Sequence, residues 1–66
     1  MTPEKYGQLF KRYVDRAFSS NQAAADYYEC GQSMVSNVKA GRKRPNNLML
    51  ASTGHEWVND IRKIKQ

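Results

Sequence analysis

Cysteine occurs once in this chain, at Cys30, and histidine once, at His55. One thiol cannot close an intramolecular disulfide. The two residues together fall short of the four ligands that a structural zinc site needs. A lone cysteine suits a reducing compartment, where thiols stay free. Long apolar runs are missing as well: the longest, Leu48-Met49-Leu50-Ala51, falls far below the ~20 residues that span a bilayer. No signal peptide is visible. These absences lead us to expect a soluble, cytoplasmic protein with no metal, no cofactor, no membrane partner and no small-molecule ligand. Catalytic groupings are equally sparse. Glu29, Glu56 and Asp60 share no recognisable spacing, Cys30 has no histidine near it in sequence, and His55 reads as a surface or cap residue. An enzyme is not expected.

What is present is positive charge. Eleven Lys and Arg against six Asp and Glu leave the 66-residue chain at +5. That surplus favours an anionic partner, whether nucleic acid, an acidic protein or a membrane surface. Arg42, Lys43 and Arg44 form a continuous run, while the acidic residues are scattered singly. The length fits one domain, residues 1–66, and a domain of this size buries only about 60% of its unfolded surface. Stability therefore has to come from helix packing, from dimerisation, or from both.

Along the chain the apolar residues recur in helical steps. Thr2 and Pro3 open a first helix over about 3–18, with Tyr6, Leu9, Phe10, Tyr13, Val14, Ala17 and Phe18 on one stripe. Gly7 inside it costs about 1 kcal/mol against alanine, which implies a close helix contact or a frayed first turn. Ser19-Ser20-Asn21 supplies caps for a second helix over 21–28. Glu29-Cys30-Gly31 is a turn, and a third helix over 32–40 buries Val35 and Val38. Gly41 ends that helix as a left-handed cap, and Pro45 bars its continuation. Asn46 or Asn47 caps a fourth helix with Leu48, Leu50 and Ala51 facing the core, and Ser52-Thr53-Gly54 stops it. A fifth helix is expected over 55–65, with Trp57, Val58, Ile61 and Ile64 on one side and Asn59, Arg62, Lys63 and Gln66 on the other. The fold class expected is all-α, a compact bundle of about five short helices.

Residues 20–45, SNQAAADYYECGQSMVSNVKAGRKRP, carry the functional signal. Ala25 lets the third helix cross the second closely, Val35 plugs the joint ten residues later, and Ala24 with Val38 completes the corner. The third helix then begins with uncharged hydrogen-bonding side chains and runs into the basic loop. This register, with Ser20, Ala25, Asp26, Gly31-Gln32-Ser33, Val35, Gly41, Arg44-Pro45 and Leu50-Ala51-Ser52, resembles the phage repressor and Cro-type helix-turn-helix family. The resemblance covers about residues 20–51. It implies a λ-repressor-like fold with the helix-turn-helix at helices 2 and 3, a homodimer, and recognition of a palindromic operator. It departs from the family pattern at Glu29, where glycine is usual because the residue adopts positive φ. It departs again at Asn21 or Gln22, which stand for the glutamine common at the start of helix 2.

Roles follow from side-chain chemistry. Gln32 and Asn37 suit bidentate bonds to adenine, while Ser33 and Ser36 suit a base edge or a phosphate. Met34 fits either a thymine methyl or a gap against helix 2. Asn21, Gln22, Lys39, Arg42, Lys43, Arg44 and Asn47 are the candidate phosphate contacts. Trp57, Ile61 and Ile64 are the candidate dimer surface, although each is equally suited to closing the core. The function expected is a sequence-specific, double-stranded DNA-binding repressor that blocks transcription. The alternative is a protein-interaction module, such as an antitoxin or antirepressor, on the same scaffold.

Overall fold

The computed structural model describes residues 1–64. Four helices come first: α1 Pro3–Ala17, α2 Asn21–Tyr27, α3 Gln32–Lys39 and α4 Asn47–Ser52. Two strands follow, β1 His55–Val58 and β2 Asp60–Lys63, paired antiparallel. Lys65 and Gln66, placed on or beside a last helix by the sequence pattern, lie outside the described residues.

α1, α2 and α4 each start where a short polar side chain satisfies a free N–H group. Thr2 Oγ1 accepts from the Lys5 N–H at 3.3 Å, Ser20 Oγ from Ala23 at 3.2 Å, and Asn46 Oδ1 from Met49 at 2.8 Å. Asn46 also donates its Nδ2–H to the Tyr28 carbonyl at 3.2 Å, so one side chain joins the end of α2 to the start of α4. α3 differs. Gly31 is its cap and supplies no side-chain hydrogen bond.

Helix α2 ends in a Schellman motif. The Cys30 N–H reaches the Ala25 carbonyl at 3.0 Å and the Glu29 N–H reaches Asp26 at 3.4 Å, with Glu29 in the left-handed region at φ 55°. α3 ends the same way. Arg42 N–H bonds Asn37 O at 2.9 Å, Gly41 N–H bonds Val38 O at 3.1 Å, and Gly41 has φ 78°.

Tyr6, Phe10 and Val14 of α1, four residues apart, form one wall of the core. Ala24, Ala25, Tyr28, Val35, Val38, Met49, Leu50 and Ile61 complete it. Gly7 marks a close approach of two elements. A Cβ there would stand 2.6 Å from the Val38 carbonyl oxygen, so glycine is what lets α1 lie against the end of α3. Tyr6 runs through the core to donate its hydroxyl to the Met49 carbonyl at 2.9 Å, beside Thr53 Oγ1 at 2.8 Å.

Several expectations are corrected. The fold is not an all-α bundle of five helices, because residues 55–63 form a β-hairpin. Gly54, at φ 74°, ends α4, and Asn59, at φ 60°, turns the chain between the strands. Asparagine tolerates that conformation, whereas a helix running through position 59 would need it right-handed. His55 and Ile61 then point to the helices and are buried. His55 is thus not a surface group: it sits edge-on to Tyr6, its Nδ1 2.8 Å from the Thr53 carbonyl oxygen. In α4 the inward pair is Met49 and Leu50, while Leu48 and Ala51 are exposed. Tyr13 and Ala17 sit at the rim of α1 rather than in the core.

Candidate nucleic-acid interface

The outward side of α3 is set by what its inward side buries. Val35 and Val38 are fully enclosed, and α3 packs on both α2 and α1. The 3.6-residue repeat then turns Gln32, Ser33 and Ser36 to solvent, with Asn37 half-buried beside them. Ser33, Ser36 and Asn37 have no side-chain hydrogen-bond partner among the described residues, so their donors and acceptors are free for another molecule. Met34 is partly buried against the core, which fits its gap-filling role. The eight residues of α3 span roughly 12 Å, about the width of the major groove of DNA.

Beyond the Gly41 cap, Arg42, Lys43 and Arg44 are exposed, and none of them has an acidic partner among the described residues. Arg44 is anchored in another way. Its guanidinium carbon stands 4.8 Å from the centre of the Trp57 ring, a cation–π contact between the basic loop and β1. Asn47 is exposed at the first position of α4, next to the cap Asn46.

Two of the candidate phosphate contacts are turned toward the protein. Lys39 donates to Asp15 Oδ1 at 2.9 Å and to Asn21 Oδ1 at 2.6 Å, and only 15% of its side chain is exposed. It is a tie among α1, α2 and α3 rather than a free cation. Asn21 is left with its Nδ2 donors, because the ammonium, which can only donate, occupies its oxygen. Gln22 is exposed on α2 and accepts at Oε1 from Gln32 Nε2, so the second and third helices are also joined by their amides.

The candidate dimer residues separate. Ile61 is buried in the core and offers no contact surface. Trp57 is 39% exposed and Ile64 is 39% exposed, and Val58, not singled out from the sequence, is 43% exposed. Residues directly opposite in the hairpin share a face. Trp57 and Ile61 therefore lie on the helix-facing side, and Val58 and Asp60 on the outer side.

Four contributors had no site role assigned from the sequence: Asp15, Asp26, Val58 and the Arg44–Trp57 contact. Asp26 was legible, since Gln22 and Asp26 stand four apart on one helix face, where such pairs bond. Asp15 and Lys39 are 24 positions apart and carry no local signal. Nothing suggests a catalytic thiol either, because burial pushes the Cys30 pKa up, away from the reactive thiolate. No group of three or more His, Cys, Asp and Glu able to hold a metal occurs among the described residues. No helix among them is long and apolar enough to cross a membrane.

Comparison with protein families, with curated proteins and with solved structures found no match to the chain.

Proposed function

We propose that the protein binds double-stranded DNA in a sequence-specific way and acts as a transcriptional repressor. α3 enters the major groove, and the 42–44 loop grips the phosphate backbone. The observation that carries this reading is the juxtaposition on α3. A row of outward uncharged hydrogen-bonding side chains, of which Ser33, Ser36 and Asn37 have no side-chain partner among the described residues and Gln32 bonds only Gln22, leads directly into an uncompensated run of three cations. Amides and hydroxyls discriminate base edges, and exposed cations release counterions from the backbone. Gln32, Ser33, Ser36 and Asn37 read bases. Arg42, Lys43 and Arg44, with Asn21, Gln22 and Asn47, hold phosphates.

A single 12 Å helix touches few base pairs, too few for tight specificity. The working unit in this reading is a homodimer on a palindromic operator, with half-sites about one helical turn apart. The hairpin is the surface we assign to that contact. It carries exposed Val58 and half-exposed Trp57, and Ile64 follows at its end. Among the described residues the β1 edge has no neighbouring strand, whereas on β2 the Ile61 carbonyl accepts from the Met1 ammonium at 2.8 Å and the Ile61 N–H donates to Asp60 Oδ1 at 2.8 Å.

Selection of bound sites from a random DNA pool tests the proposal. A palindrome is expected, and Gln32→Ala and Asn37→Ala each erase preference at separate base pairs while non-specific binding persists. Absence of DNA protection even at low salt overturns the reading and favours an acidic protein partner on the same surface.

A further inference from the structure

Gln22, Gln32 and Asp26 form a hydrogen-bonded chain with a fixed direction. Gln22 Nε2–H donates to Asp26 Oδ1 at 2.9 Å, and Gln22 Oε1 in turn accepts from Gln32 Nε2–H. All three side chains are exposed, on the side of the molecule where α2 meets the start of α3. An ionised carboxylate can only accept hydrogen bonds. Reversing the Gln22 amide would set oxygen against oxygen at Asp26 and nitrogen against nitrogen at Gln32. The end of the chain thereby fixes the beginning.

We infer that Asp26 is a positioning residue for base recognition: through Gln22 it holds the Gln32 carboxamide in one of its two orientations. This rests on the DNA-binding reading above. A free glutamine rotates about its last side-chain torsion and presents donor and acceptor in either order, because that torsion is broad and roughly two-fold. In the relay Gln32 spends one N–H on Gln22 and keeps Oε1 and its second N–H. That pair matches the N6 donor and N7 acceptor of adenine, and the reversed order does not. Asp26 thus sets the specificity of a contact it does not itself make. Gly31 contributes by capping α3 without a side chain, so no cap group competes for the Gln32 amide.

The test has two arms. In the DNA-free protein, the side-chain amide protons of Gln22 and Gln32 are followed by NMR in the unsubstituted chain and in Asp26→Ala. The relay predicts that both pairs shift toward the values of free glutamine, although position 26 bonds only Gln22. An unchanged Gln32 signal overturns it, whatever the protein binds. In the second arm, binding to the selected operator is compared with operators changed at each base pair in turn.

A bidentate contact discriminates by about 1–3 kcal/mol, or roughly 5- to 150-fold. Asp26→Ala is expected to lower discrimination at the Gln32 base pair about 5-fold or more, with other positions and the salt dependence unchanged. Gln32→Ala and the Asp26→Ala, Gln32→Ala double variant should be equally indiscriminate there, since the relay acts through Gln32. A uniform loss at every position, or an additive double variant, overturns the positioning role while leaving DNA binding intact. Failure of the unsubstituted protein to select any site overturns the DNA reading instead, and the role in recognition with it.

Discussion

Glu29 stands at φ 55° in the turn between α2 and α3. A side chain in that region crowds the following carbonyl and costs about 1–2 kcal/mol, a cost glycine escapes. The turn keeps its glutamate because the two Schellman hydrogen bonds and the buried neighbour Tyr28 dictate the backbone there. Glu29→Gly should therefore stabilise the fold by about 1 kcal/mol, less the extra chain entropy glycine loses on folding. A rise of a few degrees in Tm is the expected readout in a calorimetric scan, since a full 1 kcal/mol is worth about 4–8 °C in a domain this small.

Tyr6 gives a second measurement at this scale. Burial pushes its hydroxyl pKa from 10.0 up to about 12, the hydrogen bond with Thr53 opposing that shift. The folded pKa lies above the unfolded one, so folding favours the neutral phenol. That contribution is complete below pH 10 and disappears as pH rises through about 12. Denaturant midpoints of the unsubstituted chain should fall across that window. In Tyr6→Phe the fall should be shallower, from a lower starting stability, because the bond to the Met49 carbonyl is gone.

At the scale of elements, the four helices and their ends were readable because local chemistry decides them. Caps at Thr2, Ser20 and Asn46 and the glycine stop at 41 act within one turn of the helix they bound. The corner of Ala24, Ala25, Val35 and Val38 was readable for the same reason. The hairpin was not. Trp57, Val58, Ile61 and Ile64 fall one, three and three residues apart, which traces a helical stripe and no alternating strand, so periodicity over this short stretch pointed to the wrong element. The deciding cues were the β-branched residues and the Asn59-Asp60 turn. Partner choice for Lys39 was illegible too, because Asp15 reaches it only through the packing of α1 on α3.

The hairpin now makes a prediction of its own. Val58 is on the outer face, away from buried Ile61 and directly opposite Asp60, so the uncharged Val58→Gln should leave the monomer folded. If the hairpin forms the dimer contact, sedimentation should show a shift toward monomer, with operator affinity falling more steeply than non-specific affinity. An unchanged dimer would move the interface elsewhere.

For the molecule as a whole, what matters is how its +5 charge is deployed. Lys39 and Asp15 neutralise each other across two helices, which binds α3 to α1. Arg42 and Lys43 face solvent with no ion pair among the described residues, which leaves them available to a polyanion. Arg44 lies over Trp57, so the loop is held to the hairpin while its charge stays outward. Cations of the same formal charge are thereby given different tasks, and salt titration separates them. Each phosphate neutralised contributes about 0.9 to the slope of log K against log salt. Arg42→Ala should reduce the slope by about that amount per protomer, with the preferred sequence unchanged. Lys39→Ala should leave the slope alone and instead lower stability, by up to about 1 kcal/mol for an ion pair whose carboxylate is open to solvent. It should also weaken sequence preference by freeing Asn21 and the packing of α3. A slope that drops equally in both variants would mean that Lys39 leaves Asp15 on binding, and that the tie holding α3 in the free protein is broken on DNA.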